Sequence, residues 1–487
     1  MKKGDFIHFI GIGGVSMSGI ATELSRQGFK VSGSDVKDSE SNSYLKEIEK
    51  FGQIQIFKGH EAENISSEVN AVVITSTVTD DNPELIKAKE LNIPVLERFE
   101  VINLIVRDFE NRIGVFGGAG KTTTTALTFF LFQNAGLLPS LFLGSVLMNL
   151  KSSVHLEATK KICIFETDES DASFEKMSLN AGIFMTMEND HLEHKSYNGS
   201  YEVMKGYFKS LLLKLKMQNS PICYSEDSPE VESMVQDVLG GYPFKKSFSL
   251  KNKRADFYAE NFSFIYGGMS FDLFIEGELF IKNVFMPLIG EFNALNALGG
   301  FAMLSFFASK DVLKSAILTL KNFEGIDKRQ VKVGKFENFD IIDDYAHSPL
   351  KIKSMLSGFS RYATEIDAGL IPICEIHKFS RLDLMYNEFL NAFNAVPFVI
   401  FMDIYAVAGY TGVRPDINEF VKQLKLKNPN LEAIYVQNEN LANQLIKLIR
   451  KSEFKNKKHN FLLFFGAGNS SAIAKEMCKN LNLISCN

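Results

Sequence analysis

Two glycine-rich turns, each set between a short apolar run and a helical stretch, constrain this chain more than any other feature. The first is Gly11-Ile12-Gly13-Gly14-Val15-Ser16, after Phe6–Ile10. The second is Gly117-Gly118-Ala119-Gly120-Lys121-Thr122-Thr123, after Arg112–Phe116. A strand that enters a tight turn and leaves as a helix aims unpaired backbone N–H groups and the positive end of the helix dipole at one point. Open parallel sheets hold phosphates at the carboxyl ends of their strands in this way. Two such turns far apart in the sequence call for two α/β sheets.

The length of 487 residues leaves room for two to four domains of roughly 100–200 residues. Up to about residue 108 the chain alternates strand-like runs (Phe6–Ile10, Lys30–Gly33, Ala71–Thr75, Ile93–Leu96) with helical stretches, among them Ser16–Gln27 and one opening at Asn82-Pro83-Glu84. That alternation predicts a doubly wound parallel sheet. A second block begins at Arg112–Phe116 and adds buried strands at Ile162–Phe165 and Gly182–Met187. From about 255 to 288 polar and apolar residues alternate, which predicts antiparallel hairpins. A third block has strand candidates at Asp340–Asp343, Leu370–Cys374, Phe398–Met402, Ala433–Val436 and Asn460–Phe465. The expected fold is therefore α/β with three domains, 1–108, 109–325 and 326–487. The first and last are Rossmann-like; the central one is a P-loop mononucleotide-binding domain with an added antiparallel sheet.

Composition removes several alternatives. Lys plus Arg total 53 against 58 Asp plus Glu, a net charge of −5, which argues against bulk nucleic-acid binding. Five cysteines without CxxC spacing give neither a zinc site nor a disulfide framework. The most membrane-like run, Leu127–Leu150, is interrupted by Gln133, Asn134, Gly136, Pro139 and Ser140, and reads as a buried helix followed by a buried strand. No targeting segment is visible ahead of Phe6, so the expected location is cytoplasmic, with no membrane partner.

The residues in and around the turns carry the chemistry. In the first turn the third glycine of a dinucleotide fingerprint is Ser16, and Asp35 stands where an acidic residue meets a ribose hydroxyl. In the second, Lys121 suits β and γ phosphates and Thr122 a Mg²⁺ ion, although Val115 takes the place of the first Walker glycine. Glu166-Thr167-Asp168-Glu169-Ser170-Asp171 crowds carboxylates at a strand end, where a cation relieves their repulsion. Asn189-Asp190-His191-Leu192-Glu193-His194 ends the next strand; its histidine is read equally as structural or as a ligand of metal or phosphate. Asn293 and Asn296 open a helix and offer amide edges to a base. Asp343-Asp344-Tyr345-Ala346-His347-Ser348-Pro349 and Glu375-Ile376-His377-Lys378-Phe379-Ser380-Arg381 each follow a strand of the third block.

In this order, the motifs resemble the Mur ligase family, ATP-dependent amide-bond-forming enzymes of peptidoglycan assembly. The resemblance covers essentially the whole chain. Gly11–Ala21 with Gly33-Ser34-Asp35, Glu166–Phe174, Asp190-His191-Leu192 and Asp403-Ile404-Tyr405-Ala406 carry it, and point to the branch that couples L-alanine to UDP-N-acetylmuramate. It implies a UDP-sugar-binding domain, an ATP-binding domain and a domain that positions the amino acid. It also implies that the lactyl carboxylate takes the γ-phosphate of ATP to form an acyl phosphate, which the amine of L-alanine then attacks.

By resemblance, Gly11, Gly13, Gly14, Ser18, Asp35, Ser76 and Arg98 form the sugar-nucleotide site. Gly117 to Thr123, Asn293, Asn296 and Arg329 hold ATP; Thr122, Glu166 and His191 are the Mg²⁺ ligands. Asp344, His347, Lys378 and Arg381 orient alanine and the acyl phosphate, and Lys121, His191, His347 and Arg381 are the expected catalytic residues. The expected assembly is a monomer or a weak homodimer. The chain also departs from the family pattern. GTHGKT becomes Gly117-Gly118-Ala119-Gly120-Lys121-Thr122, HN becomes Phe292-Asn293, GHHPT becomes Ala346–Leu350, and QPHR becomes Glu375–Lys378. The rival readings are a ligase that recycles murein tripeptide, a folylpolyglutamate-type ligase, a non-catalytic UDP-sugar binder and, from the first turn alone, a nicotinamide-dependent oxidoreductase.

Overall fold

The structure is a computed structural model that describes residues 2–40, 42–75, 77–170, 172–189, 192, 194–406, 412–449 and 456–485. Ser76, Asp171, Asp190, His191 and Glu193 lie outside the described residues. The fold is α/β with three sheets.

The first sheet contains β1 (Phe6–Ile10), β2 (Lys30–Asp35), β3 (Gln55–Lys58), β4 (Ala71–Ile74) and β5 (Val95–Glu97), in the order β3-β2-β1-β4-β5. All its pairings are parallel. β1 and β4 are near-continuous apolar runs because a parallel sheet is covered on both faces; Ile7, Phe9, Val72 and Val73 are fully buried. The strand order reverses beside β1, and the crevice at its carboxyl end receives the first glycine turn. β2 runs two residues beyond the expected Gly33, which puts Ser34 and Asp35 on the strand itself. β3 carries no apolar run and is not legible from periodicity.

The second sheet has ten strands. They are β6 (Asn111–Phe116), β7 (Ser140–Leu147), β8 (Ser152–His155), β9 (Ile162–Glu166), β10 (Ala181–Phe184), β11 (Ile222–Ser225), β12 (Lys245–Ser249), β13 (Phe257–Ile265), β14 (Gly268–Ile275) and β15 (Glu278–Met286). The order is β15-β14-β13-β12-β11-β10-β6-β9-β7-β8. From β12 through β7 the pairings are parallel, with β8 antiparallel to β7. Tyr266-Gly267 and Glu276-Gly277 join β13, β14 and β15. Links this short allow only antiparallel hairpins, as the alternating pattern predicts. The Leu127–Leu150 run divides between the helix Lys121–Asn134 and β7. Among the described residues no helix is long and apolar enough to cross a membrane.

The third sheet holds β16 (Val331–Phe336), β17 (Phe339–Asp344), β18 (Gly369–Cys374), β19 (Phe398–Phe401), β20 (Glu432–Tyr435) and β21 (Asn460–Phe465), ordered β16-β17-β21-β18-β19-β20. It is parallel except for the antiparallel edge strand β16.

By packing, the chain forms two compact units. One contains residues through Ala259 with Leu273–Ile281 and Leu295–Phe323; the other contains Glu260–Asp272, Lys282–Ala294 and Glu324 onward. In the first unit the first two sheets share one apolar core, in which Ile7, Met17 and Val101 join Phe116, Phe174 and Phe208. Phe174, Phe184 and Phe208 stack at 4.5 and 5.1 Å between centroids. Gly19 lets the helix Val15–Arg26 approach β8: a β-carbon there would lie 2.9 Å from Val154 Cγ2.

Candidate active site

The first turn is built around Asp35. Its Oδ2 accepts from the Gly13 amide at 2.9 Å and its Oδ1 from Lys37 N at 3.0 Å. The Ser34 carbonyl accepts from Gly11 N and Ile12 N at 2.8 and 3.0 Å, and Asn42 Nδ2 donates to Gly13 O at 3.0 Å. A side chain at Gly13 would meet Asn42 Nδ2 at 2.6 Å and Asp35 Oδ2 at 2.7 Å, so the two side chains that hold the turn would have to shift. Gly11 has φ +81°, and Gly14 caps the helix that contains Ser18, whose hydroxyl donates to Val15 O. Asp35 therefore shapes the turn: each of its oxygens accepts from a backbone N–H group, at the place where the sequence suggests a ribose contact. The turn also rests on a buried polar network. Glu84 accepts from Ser34 Oγ at 2.5 Å and Asn64 Nδ2 at 2.7 Å, and faces His8 Nε2 at 3.4 Å and His60 Nδ1 at 3.1 Å. Burial works against the charge on Glu84, but the hydrogen bonds from His8, Ser34 and Asn64 outweigh it and hold the carboxyl below its ordinary range.

The second turn links β6 to the helix Lys121–Asn134 through Gly117 (φ +113°) and Gly120 (φ +88°). Thr186, just past β10, pins it: its carbonyl accepts from Gly118 N at 2.9 Å and its Oγ1 from Ala119 N at 2.8 Å. Thr186 Oγ1 in turn donates to Glu188 Oε1 at 3.1 Å. A β-carbon at Gly118 would lie 2.8 Å from Glu188 Cδ, so the glycine that replaces the family's threonine matches its surroundings. Thr186 and Glu188 belong to no motif. The only sequence signal for them is their place at the end of a parallel strand next to the phosphate loop.

The side chains of this loop face two carboxylates. Thr122 Oγ1 donates to Glu166 Oε1 at 2.8 Å, and Glu166 Oε2 accepts from Gly144 N at 3.1 Å. Lys121 Nζ donates to the carbonyls of Gly117 and Gly118 at 2.8 and 3.0 Å and pairs with Glu169. Burial disfavours the Lys121 charge, but Glu169, Glu166 and Asp168 override it and raise its pKa. Burial pushes the Glu169 carboxyl up to about 7 against the pull of Lys121. Arg98, at the start of a helix in the first block, lies 3.6 Å from Asp168 Oδ2. One short segment after β9 therefore meets residues expected in both nucleotide sites. Asn296 is buried against the same loop, beside Gly120 and 3.4 Å from Thr124 Oγ1. Asn293 belongs to the second unit, where its amide donates to Ile289 O at 2.9 Å. Ser76 and His191 lie outside the described residues.

The second unit gathers the remaining expected residues. Asp344 Oδ1 accepts from Ala346 N at 2.8 Å and Oδ2 from Gln330 N at 3.1 Å. Burial raises its pKa and Arg329 works the other way. The Arg329 guanidinium lies 4.9 Å from the centroid of the Tyr345 ring. His347 Nδ1 is 2.7 Å from the Tyr345 carbonyl, so Nδ1 carries the proton and Nε2 the lone pair. Burial, reinforced by Lys351 and Arg381, drives the His347 pKa down to about 2 and keeps the ring neutral.

His377, beyond the expected set, completes this cluster. Its ring stacks on Tyr405 at 5.2 Å, lies 5.9 Å from His347, and accepts from Arg381 Nη1 at 3.1 Å. Burial, with Arg381 and Lys378, lowers its pKa to about 4. Lys378 has φ +75°, which is uncommon for a residue with a β-carbon and clusters at functional sites. Glu375 accepts from Gly468 N at 2.9 Å and Asn469 N at 2.8 Å, filling the helix start after β21 with a carboxylate from its own chain.

Comparison with known proteins supplies the context. Residues 6–110 match the profile of the Mur ligase family, catalytic domain, and residues 115–304 that of the Mur ligase middle domain. The chain is 31% identical to the UDP-N-acetylmuramate–L-alanine ligase of Rickettsia felis, covering 97% of this chain and 95% of that protein. It is also 31% identical to the enzyme of the same name from Rickettsia typhi, over 98% and 92%. Among solved structures, UDP-N-acetylmuramate–alanine ligase from Thermotoga maritima superposes with a TM-score of 0.77 at 23% identity, covering 98% and 99%. A murein peptide ligase from Psychrobacter arcticus superposes with 0.67 at 19% identity over the same shares. Folylpolyglutamate synthase of Mycobacterium tuberculosis with ADP gives 0.54 at 11%, over 79% and 93%. At these identities the structures speak to the fold.

Proposed function

The chain belongs to the Mur ligase family, and from that premise we propose that it joins L-alanine to the lactyl carboxylate of UDP-N-acetylmuramate at the expense of ATP. The observation that carries the reading is the meeting of Lys121 and Thr122 of the phosphate loop with Glu166 at the end of β9, in a chain 31% identical over nearly its full length to L-alanine-adding ligases. In this reading residues 1–108 bind the UDP-sugar, 109–325 bind ATP, and 326–487 position the amino acid.

The residues present fit a divalent cation. The Thr122 hydroxyl and the Glu166 carboxylate converge to 2.8 Å at the head of the phosphate-loop helix, and both are hard oxygen donors. Mg²⁺ takes one or two such ligands and fills its shell with phosphate oxygens and water. When bound, the ion neutralises charge on the transferring phosphoryl group.

The chain's own groups do the rest. Lys121 places a fixed positive charge against the phosphates, where charge develops as the lactyl carboxylate takes the γ-phosphoryl group. The acyl phosphate that forms carries an activated carbonyl. Arg381 and Lys378 supply cationic charge for the acyl phosphate and the alanine carboxylate. Neutral His347, with its lone pair on Nε2, accepts a hydrogen bond from the alanine amine and orients it; because its pKa is held low the ring does not keep the proton, which passes to water before the free amine attacks. Phosphate then leaves the tetrahedral intermediate.

The test is phosphate release by the purified full-length protein with ATP, Mg²⁺, UDP-N-acetylmuramate and a panel of amino acids and murein tripeptide. Stimulation by L-alanine is expected. Stimulation by the tripeptide without L-alanine would assign the recycling reaction instead, and UDP-sugar binding with no phosphate release would make the protein a non-catalytic relative.

A further inference from the structure

We propose that Glu169 is an internal competitor of the ATP phosphates for the Lys121 ammonium and thereby sets the protein's affinity for nucleotide. The inference rests on the reading of Gly117–Thr123 as an ATP site, and extends it to a residue with no assigned role.

The Lys121 ammonium has three N–H donors. In the structure it meets Gly117 O, Gly118 O and the Glu169 carboxylate. Its side chain is 11% exposed and that of Glu169 10%, so water does little to screen the pair. A phosphate oxygen needs one of the same N–H groups. The two carbonyls belong to the loop backbone, which is held by Thr186 and by the positive φ of Gly117. Glu169 is the only one of the three acceptors carried on a rotatable side chain. Its own backbone is anchored, because its carbonyl accepts from the Tyr197 hydroxyl and from Ala172 N. The side chain alone therefore has to move.

Glu166 stands apart from this exchange, since its two oxygens face Thr122 and Gly144. The two carboxylates divide the labour: Glu166 faces the cation side of the phosphates and Glu169 the lysine side. Removing the Glu169 charge lifts both a competitor for the ammonium and a repulsion toward the incoming phosphates. It also leaves the buried ammonium uncompensated when no phosphate is bound. Both effects favour the complex.

The experiment is calorimetric titration of the full-length protein with a non-hydrolysable ATP analogue, with Mg²⁺ and again in EDTA, for wild type and Glu169→Gln. About a tenfold lower Kd is expected for E169Q under both conditions, a difference of roughly 1.4 kcal/mol. The melting temperature of the variant without nucleotide should fall. An unchanged or higher Kd overturns the proposal, and weakening confined to the Mg²⁺ arm would make Glu169 a metal ligand instead. If E169Q does not fold, Glu169→Asp takes its place: it withdraws the carboxylate by one methylene and should tighten binding by a smaller factor, while no change or weaker binding overturns the idea. Wild-type protein that binds no analogue at all would refute the ATP-site reading itself, a distinct result.

Discussion

Thr122 Oγ1 donates to Glu166 Oε1 at 2.8 Å, which ties the first turn of the phosphate-loop helix to the carboxyl end of β9. On the proposed reading, two oxygen ligands for the cation come from separate elements and are pre-set at one point. Thr122→Val removes one and leaves the other misoriented. The Mg²⁺ concentration for half-maximal phosphate release should rise about 10- to 100-fold, the range seen when groups that orient a metal ligand are lost. A metal titration of the activity checks this, with UDP-sugar affinity unchanged as the control.

Lys121→Ala should abolish phosphate release while UDP-sugar binding, measured by calorimetry, stays within a few-fold of wild type. The lysine belongs to the second sheet's loop, whereas the first glycine turn is held by Ser34, Asp35 and Asn42. Equal loss of both functions would contradict the assignment of the two sites.

Gly13→Ala should show the converse. The added methyl collides with Asp35 and Asn42, so the side chains that hold the turn through Gly13 must shift. UDP-sugar affinity should fall at least about tenfold, a cost of roughly 1.4 kcal/mol, with ATP-analogue affinity retained.

Glu84 accepts from Ser34 and Asn64 and faces two histidines, and it is fully buried. Glu84→Ala strands those partners and should destabilise the protein by about 3–5 kcal/mol in urea unfolding. Because the native pKa of Glu84 is depressed, its contribution is complete above the ordinary carboxylate range and is lost as pH falls through the native value.

The second unit should show a histidine-linked acid sensitivity. His347 and His377 titrate at about 2 and about 4 in the fold, against 6.5 ordinarily. Between those values and 6.5 the unfolded chain holds more protons, so each histidine makes stability fall as pH is lowered from 6.5, with a slope of at most about 1.4 kcal/mol per pH unit. Burial raises Asp343 to about 6, and that shift acts in the opposite sense. The comparison that isolates the histidines is wild type against the His347→Asn, His377→Asn double variant. The variant's stability should lose less on acidification from pH 6.5 to 4.

What the sequence makes legible follows physical lines. Strands buried on both faces, such as β1, β9 and β21, announce themselves as apolar runs, and the glycine turns do so by composition. β3 and the edge strand β16 are half-exposed and mixed in character, so periodicity passes over them. The same divide runs through the site. Lys121, Thr122 and Glu166 belong to motifs, and the structure brings them near one another. Thr186 and Glu188 belong to no motif and act through positions that only the sheet order brings together, whereas His377 lies in the quoted Glu375–Lys378 segment but its place beside His347 is not legible from it. Asp35 illustrates a third case: its position is predictable, but its hydrogen bonds to Gly13 and Lys37 are not.

The central claim is tested most directly by the mass of the product. After incubation of the full-length protein with ATP, Mg²⁺, UDP-N-acetylmuramate and equal concentrations of L-alanine and murein tripeptide, the sugar nucleotide should gain the mass of one alanyl residue, with phosphate released in equal amount. A sugar nucleotide that gains the tripeptide instead, or that keeps its mass while binding tightly, would contradict the account.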